Sequence, residues 1–296
     1  MIVNDISTLD PAIRGVFQQA YDNGEDPRDI TPFITQVDSN RDKEDYAWLG
    51  APPAMREWVG SRVDKSINDY KYEIANRKFE GTLSINRDTI EDDQLGAIAQ
   101  RARELAFRAR TLVRKLFYET LITGETALGY DGVAFFSASH TGTQSNIISS
   151  GSGTSLTGLK ADINIAESMM MGLKDDQGEP YNEGEMQFGI VCHPALKAQF
   201  DELNQSRVIG SSDNPLRGRI TQLTYSPRLT DTNDWYFFNV SPGVKGLIHQ
   251  IRVRPEFESL ESNSSQGFDK DIWRYGVRQR ENVGFGLWQR VVKVKN

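Results

Sequence analysis

The feature that most constrains this chain is a long amphipathic stretch between residues 89 and 122. Apolar residues recur there at alternating intervals of three and four, which places one apolar seam along one face of an α-helix. Acidic residues begin the stretch, where they interact favourably with the helix dipole. Gly124 lies where a C-terminal cap is expected. We therefore predict a single spine helix over about 90–122, roughly 45 Å long. The seam consists of Leu95, Ile98, Ala102, Leu105, Ala109, Leu112 and Leu116.

The charges that flank this seam are mostly basic. A free two-stranded coiled coil is the alternative to a packed spine, but the alanine-rich seam and the one-sided charge argue against it. The basic side chains suit contact with DNA, an ordinary solvated face, or pairing with carboxylates between subunits. We favour subunit pairing because the whole chain is acidic, with a net charge of -7. These residues are Arg101, Arg103, Arg108, Arg110, Arg114 and Lys115.

Composition narrows the classes of protein further. With 296 residues, of which 38% are hydrophobic and 25% charged, the chain can build one large core or two smaller ones. The N-terminus lacks the basic and apolar regions of a secretory signal, and no apolar run approaches the length of a membrane span. The acidic balance argues against a module whose main task is to grip nucleic acid.

Patterns outside the spine predict an α+β chain. Asp10–Pro11 is typical of a helix start, and Asn23–Gly24 can end that helix. The polar segment 25–45 is either an extended arm that packs on a neighbour or an ordinary surface loop. Apolar residues alternate on both sides of residues 76–78, which predicts a hairpin there. Further helices are predicted near 159–173 and 194–203, and strands at 188–192, 220–226, 235–240, 247–253 and, with a bend at Gly284 and Gly286, towards the C-terminus.

Few residues are suited to catalysis or to metal binding. The single cysteine, Cys192, precedes His193, but neighbours on a strand point to opposite faces, and the preceding Phe-Gly-Ile-Val favours a buried structural thiol. Ser139–His140 lacks a nucleophile elbow. Gly284-x-Gly286 is better explained by strand bending than by phosphate binding. The acidic run 91–93 is explained by the helix dipole. We expect no catalytic residue, metal or cofactor.

Four blocks of residues, in order along the chain from about 48 to 290, resemble the major head subunits of Mu-like phages. Each block alone is weak, but the ordered set is specific. The blocks are Trp48-Leu49-Gly50 with Glu57-Trp58-Val59-Gly60 and Arg62; Tyr72, Ile74-Ala75-Asn76, Phe79-Glu80-Gly81-Thr82, Arg87-Asp88 and Glu91 to Gly96; Tyr130-Asp131-Gly132, Phe135-Phe136 and His140; and Tyr275-Gly276, Gly284-Phe285-Gly286 and Trp288-Gln289.

The resemblance implies the Hong Kong 97 type of fold, which tailed-phage shells share with encapsulins. Residues 1–51 would form an N-terminal arm, and residues 52–86 an extended two-stranded loop. Residues 87–154 and 251–296 would form a peripheral domain built on the spine helix. Residues 155–250 would form an axial domain near the symmetry axes.

The function implied is that of a major capsid protein, a structural protein and not an enzyme. Copies would assemble as hexamers and pentamers into the icosahedral head shell of the virion, in the host cytoplasm. The implied partners are further copies, portal, scaffold and decoration proteins, and the enclosed double-stranded DNA through weak non-specific contact. No membrane partner is expected.

Two alternatives stay open: an encapsulin-like compartment shell that holds cargo enzymes, and a hydrolase that uses Cys192. For the favoured function we expect aromatic residues of the arm and loop, with two spine arginines, to lie in or near subunit contacts. Plain core packing is at least as compatible with Trp58. The candidates are Trp48, Trp58, Tyr70, Tyr72, Phe79, Arg101 and Arg108.

Overall fold

The structure, a computed structural model, describes residues 9–23, 29–50, 71–86, 95–184, 186–209, 212–260 and 272–296. Within these residues helices and strands are interleaved, in agreement with the predicted mixture of the two. The helices are α1 (Leu9–Asn23), α2 (Leu95–Arg110), α3 (Leu112–Thr123), α4 (Leu156–Gly172) and α5 (Lys197–Gln205). The strands are β1 (Ile34–Asp38), β2 (Lys43–Asp45), β3 (Glu73–Ala75), β4 (Arg77–Asn86), β5 (Ile147–Ile148), β6 (Phe188–Cys192), β7 (Val208–Ile209), β8 (Ser212–Asp213), β9 (Ile220–Tyr225), β10 (Trp235–Asn239), β11 (Leu247–Leu260), β12 (Ile272–Phe285) and β13 (Val291–Val294).

Most predicted elements lie where the sequence patterns put them. Helix α1 ends at Asn23, as its Asn-Gly signal predicted. Helix α4 begins after Ser155, whose hydroxyl oxygen accepts a hydrogen bond from the Gly158 amide and so caps the helix. Strands β6 and β10 are buried along their whole length, which explains why their sequences are unbroken apolar runs.

The predicted single spine helix is wrong at one residue. Thr111 has φ −83° and ψ 2°, and it separates α2 from α3. Its hydroxyl donates a hydrogen bond to the Phe107 carbonyl 2.9 Å away, a bond that competes with the helical ladder and bends helices. Backbone hydrogen bonds still cross the break, from the Thr111 amide to Phe107 and from the Lys115 amide to Thr111. The spine therefore consists of two helices joined end to end.

A four-stranded sheet in the order β1-β11-β12-β4 packs against this spine. Strands β11 and β12 are antiparallel and 14 residues each. Strand β4 extends the ribbon on the far side of β12, from Arg77 opposite Glu281 to Asn86 opposite Ile272. The result is a long, three-stranded antiparallel ribbon that begins near the end of α3.

The predicted hairpin at residues 76–78 is wrong. Strands β3 and β4 are separated by Asn76 alone, which is too short a connection for them to fold back on each other. Instead β3 pairs with β2, while β4 pairs with β12. The Asn76 side chain donates hydrogen bonds to Ser39 Oγ and to the Arg41 carbonyl, so it fixes the point where the chain changes partner.

Residues 30–38 of the polar segment 25–45 form neither an extended arm nor a surface loop. Strand β1 adds to the four-stranded sheet parallel to β11. Phe33 is fully buried, and its ring centroid lies 4.9 Å from that of Phe238 and 6.2 Å from that of Phe117. A strand of five residues with one aromatic anchor leaves little periodic signal, which is why the sequence pattern missed it.

A second sheet, in the order β5-β13-β10-β6-β9, forms a separate core with α4 and α5. The predicted domain boundaries placed all of residues 251–296 in the peripheral domain beside the spine. Strand β12 does pack beside the spine, but β13 pairs with β10 and β5 of the second sheet. All four residues of β13 are buried, so the strand needs a sheet that is covered on both faces. The chain crosses between the sheets at the predicted glycine bend, where a Cβ on Gly286 would collide with the Lys245 carbonyl.

Candidate functional site

The one cysteine is not placed to act as a nucleophile. Cys192 ends the buried strand β6 with no exposed surface, and burial raises the pKa of its thiol to about 12. A thiolate is the reactive species, so this thiol is inert near neutral pH. The neighbouring His193 turns away and caps the following turn, where its Nδ1 accepts a hydrogen bond from the Ala195 amide. The Cys–His pair is structural.

A buried polar cluster surrounds His140. Its Nδ1 lies 2.6 Å from a carboxylate oxygen of Asp131, and its Nε2 lies 3.0 Å from Asn146 Oδ1. The imidazole also stacks on the Trp288 ring at a centroid distance of 4.0 Å. The side chains of His140 and Asp131 are 0% and 1% exposed, so no substrate can reach them. The cluster fixes the loop after α3 against the turn before β13.

Within the described residues, His, Cys, Asp and Glu never gather in a group of three or more that could hold a metal ion. No helix among these residues is both long enough and apolar enough to cross a membrane. Four surfaces of the described residues are considered as candidate contact sites.

The first such surface is the base of the loop between β2 and β3. The β2–β3 pair places Asp45 opposite Glu73, so the chain between them leaves and returns at one place. Gln250 joins the two ends of this segment. Its side-chain amide oxygen accepts a hydrogen bond from the Tyr46 hydroxyl, and its amide nitrogen donates one to the Ile74 carbonyl. Gln250 is fully buried at this base.

Tyr72, one of the predicted contact residues, lies at this base. Its hydroxyl oxygen accepts a hydrogen bond of 2.7 Å from the Phe285 amide, and burial raises its pKa to about 12. Tyr72 thus anchors the returning strand to the end of β12 in its own chain. Trp58 and Tyr70, also predicted contacts, lie outside the described residues.

The second surface is a groove between the spine and the ribbon. It has a volume of about 420 Å³ and is lined by both Phe79 and Arg108, which the sequence analysis had singled out separately. The guanidinium of Arg77 covers the Phe79 ring at 5.1 Å, and Gly81 leaves room for the Leu105 side chain. Its remaining walls come from Glu80, Ala109, Thr111, Leu112, Lys115, Arg228, Val277 and Gln279.

The third surface is the outward face of α2. Arg101 and Arg108 are exposed there, and neither forms an ion pair within the part of the chain that the structure describes. Beside them Phe107 is 61% exposed, a large apolar side chain in solvent. Sequence reasoning missed Phe107, although its position two residues from both Leu105 and Ala109, about 200° around the helix from the seam, was the available signal.

The fourth surface is a pocket of about 180 Å³ beside Trp48, the remaining predicted contact residue. Trp48 is 50% exposed, and it meets the loop of residues 174–184 there. This loop was not singled out from sequence, because its acidic residues resemble an ordinary solvated turn.

The fold described above is that of virus-shell proteins. A procapsid chain of bacteriophage JBD30 matches with a TM-score of 0.58 and 25% identity, over 98% of this chain and 75% of that one. The virus-like particle of Pyrococcus furiosus matches with a TM-score of 0.56 over 96% and 98% of the two chains, but at 11% identity, which shows the fold alone. The capsid of Ralstonia phage GP4 also matches at 0.56, with 12% identity over 88% and 86%.

Sequence comparison then narrows the class. The family model of the Mu-like prophage major head subunit gpT matches residues 6–157 and 221–296. The major capsid protein of Escherichia phage Mu is 36% identical over 270 residues, and the Mu-like prophage FluMu major head subunit of Haemophilus influenzae is 27% identical. Each alignment covers 91% of this chain and 67% of the relative, so the chain spans about two thirds of their length. The chain belongs to the Mu-like major head subunit family, whose members form the shell of the phage head.

Proposed function

We propose that copies of this chain assemble as hexamers and pentamers into a closed icosahedral shell around the phage DNA. The observation that carries this proposal is the sequence match to head subunits across both sheets, joined to a fold with several separate contact surfaces. A closed shell needs each subunit to present different patches to different neighbours. The loop base, the groove, the outward face of α2 and the pocket beside Trp48 are four such patches.

We assign the parts of the fold as the resemblance implies. The spine and the four-stranded sheet would form the peripheral domain, over residues 87–154 and most of 251–296 with β1 and β4 added. The second sheet with α4 and α5 would form the axial domain, over 155–250 with β13 added. The resemblance implied an extended loop over residues 52–86, but β4 pairs with β12 in the four-stranded sheet, so we propose the reaching loop over residues 46–72, whose two ends are joined by the pairing of β2 with β3. Of residues 1–51, only the part before β1 would be the arm, since β1 belongs to the four-stranded sheet.

The groove between the spine and the ribbon is proposed as a contact between copies. Phe79 contributes an apolar ring to this cleft, and Arg108 contributes a guanidinium that forms no ion pair among the described residues. Interface cores commonly combine aromatic side chains with arginine. Arg101 and Arg103 of α2, which lie outside the groove, would pair with carboxylates of neighbours rather than grip DNA, because the chain is acidic overall. Portal, scaffold and decoration proteins would meet the assembled shell, which forms in the host cytoplasm.

The alternatives have less support. A Cys192-dependent hydrolase conflicts with the burial and the raised pKa of that thiol. A compartment shell that encloses cargo enzymes shares the fold, but the likeness by sequence is to phage head subunits. The protein is therefore proposed to be structural.

Sedimentation of the purified protein tests the proposal. Wild type is expected to form particles far larger than a hexamer under some condition of salt and concentration. Phe79→Ala and Tyr72→Ala should both reduce particle formation, the first by loss of a contact and the second through the loop base. A protein that stays a monomer in every condition would refute the proposal, and normal shells from both variants would refute the role of these two residues.

A further inference from the structure

The stretch that follows the spine is almost free of charged residues. Residues 120–159 contain two charged side chains, Glu125 and Asp131, where the 25% average of the whole chain would give about ten. Neither of the two presents a free charge to solvent. The Glu125 carboxylate forms an ion pair of 2.9 Å with Lys295, and the Asp131 side chain is 1% exposed. The surface that this stretch builds is therefore electrically neutral.

Two short hairpins, residues 128–134 and 140–144, form the part of this stretch that we call the neutral tip. Each hairpin is closed by a backbone hydrogen bond of 2.7 Å. Leu128 of the first hairpin is 59% exposed, and Gly132 and residues 141–143 are exposed as well. The cores of protein interfaces are depleted of charged residues, so an exposed apolar side chain on an uncharged surface is typical of a contact site.

A buried polar pair holds the two hairpins together. Asp131 belongs to the first hairpin and His140 to the second, and His140 Nδ1 lies 2.6 Å from Asp131 Oδ2. The other carboxylate oxygen, Asp131 Oδ1, accepts a hydrogen bond from the Val133 amide and so fixes the first turn. The neutral tip is thus a shape held by buried hydrogen bonds, although its serine, threonine and glycine content resembles that of a linker.

One residue of the neutral tip is held in an unfavourable backbone conformation. Thr143 has φ +61°, and among the described residues it is the only one besides glycine with a positive φ. A β-branched side chain is strained in this region, where glycine would not be. Backbone strain of this kind is concentrated at functional sites. Thr143 is exposed, so packing inside the subunit does not explain why threonine stands at this position.

We propose that the neutral tip lies beside a rotation axis of the shell, where it faces the same tip of other copies. The inference rests on the proposed self-assembly and adds the surface that adjoins an axis. A residue beside a rotation axis meets its own equivalents, so a charge there meets charges of the same sign. They repel when they lie within the Debye length, about 8 Å at physiological ionic strength. A surface for DNA would instead be basic, and a surface for a different protein could carry charges that the partner complements.

Opposite charges placed at one position of the tip test the proposal. Thr141→Asp and Thr141→Lys each add one charge at an exposed residue. Each variant alone should raise the subunit concentration needed for shells by roughly three- to tenfold, and added salt should reduce the defect. An equal mixture of the two should assemble more readily than either alone, because opposite charges can then face each other around the axis. Thr230→Asp and Thr230→Lys, at an exposed position of another loop, are the control, and mixing them should bring no gain.

Normal assembly of both Thr141 variants would overturn the inference, because the neutral tip would then touch no copy of itself. A defect for one sign of charge alone, or a defect that mixing leaves unchanged, would also overturn it, since the tip would then meet DNA, another protein or a different surface of the subunit. Thermal unfolding of the unassembled subunits detects variants that fail to fold. Cryo-electron microscopy of wild-type shells then decides: tips grouped around an axis support the inference, and tips far from every axis overturn it while leaving the shell function intact. Absence of wild-type shells would overturn the proposed function as well.

Discussion

The hydroxyl of Tyr46 donates a hydrogen bond of 2.7 Å to the amide oxygen of Gln250, across 204 positions of sequence. Gln250 has no exposed surface, and its amide nitrogen donates in turn to the Ile74 carbonyl. One side chain of β11 therefore holds both ends of the loop that leaves after Tyr46 and returns before Ile74.

Replacement of Gln250 by leucine should destabilise the subunit and loosen the loop. The change leaves two buried groups, the Tyr46 hydroxyl and the Ile74 carbonyl, without their partner, which costs about 1–3 kcal/mol. Chemical denaturation measures the change in the free energy of unfolding. Gln36→Leu is the matched control, because Gln36 is exposed on β1 and the same substitution should change stability by less than about 0.5 kcal/mol. Equal effects of the two substitutions would contradict the role of Gln250.

Gly284→Ala tests the close approach of the loop base to β12. An added Cβ would collide with the Ile74 side chain and lie 3.2 Å from the Tyr72 hydroxyl. Overpacking of this kind costs about 1–3 kcal/mol, so the melting temperature should fall. Gly15→Ala in α1 meets no atom within 4 Å and should instead stabilise the helix by about 0.5–1 kcal/mol. A Gly284→Ala protein as stable as wild type would show that β12 and the loop are not packed as described.

The His140–Asp131 pair provides a third prediction. Asn146 donates through its amide nitrogen to the Phe135 carbonyl, so its oxygen faces Nε2 of His140, while Nδ1 of His140 lies against Asp131 Oδ2. His140→Ala leaves the buried Oδ2 of Asp131 without its hydrogen-bond partner, a change that costs about 1–3 kcal/mol. Lys43→Ala, which breaks the exposed Lys43–Glu73 pair, should leave the melting temperature nearly unchanged. A small effect of His140→Ala would show that water reaches Asp131.

Stability towards acid should depend on Glu125. Hydrogen bonds from Lys293 and Lys295 hold the pKa of this carboxyl below its ordinary value of 4.5. A depressed pKa means that the folded protein holds the carboxylate more favourably than the unfolded chain does. The contribution is therefore fully present above pH 4.5 and is lost as the pH falls through the lower, folded pKa.

Glu125→Gln should make unfolding less sensitive to pH in that acidic range and lower stability at neutral pH. Urea titrations at a series of pH values measure both effects. Glu183→Gln is the control, since Glu183 is exposed and forms no ion pair within the described ranges. An acid-unfolding curve of Glu125→Gln that coincides with that of wild type would contradict the prediction.

The elements that sequence predicted correctly are those with long or unbroken patterns. The apolar seam placed the spine helices, because a 3.6-residue periodicity sustained from Leu95 to Leu116 favours helix over strand. Continuous apolar runs placed β6 and β10, since strands covered on both faces contain no polar alternation. Family resemblance then supplied the class of protein, which no periodicity could.

The errors arose where tertiary contacts override a local pattern. The break at Thr111 depends on which way one hydroxyl turns. The alternation around Asn76 is real, but the two strands pair with β2 and β12 and not with each other. The pocket beside Trp48 joins three distant segments, and no spacing within the chain could reveal it. Of the predicted contact residues, Tyr72 and Phe79 are both partly buried against the subunit's own core, and Phe79 also lines one groove with Arg108; their place in subunit contacts stays a prediction.

Imaging of the purified protein by cryo-electron microscopy is the most direct test of self-assembly. We predict closed particles with icosahedral symmetry, in which the loop between Tyr46 and Tyr72 and the groove lined by Phe79 and Arg108 touch neighbouring copies. Fields that contain only single compact subunits at every protein concentration, or closed shells in which both surfaces face solvent, would contradict the account.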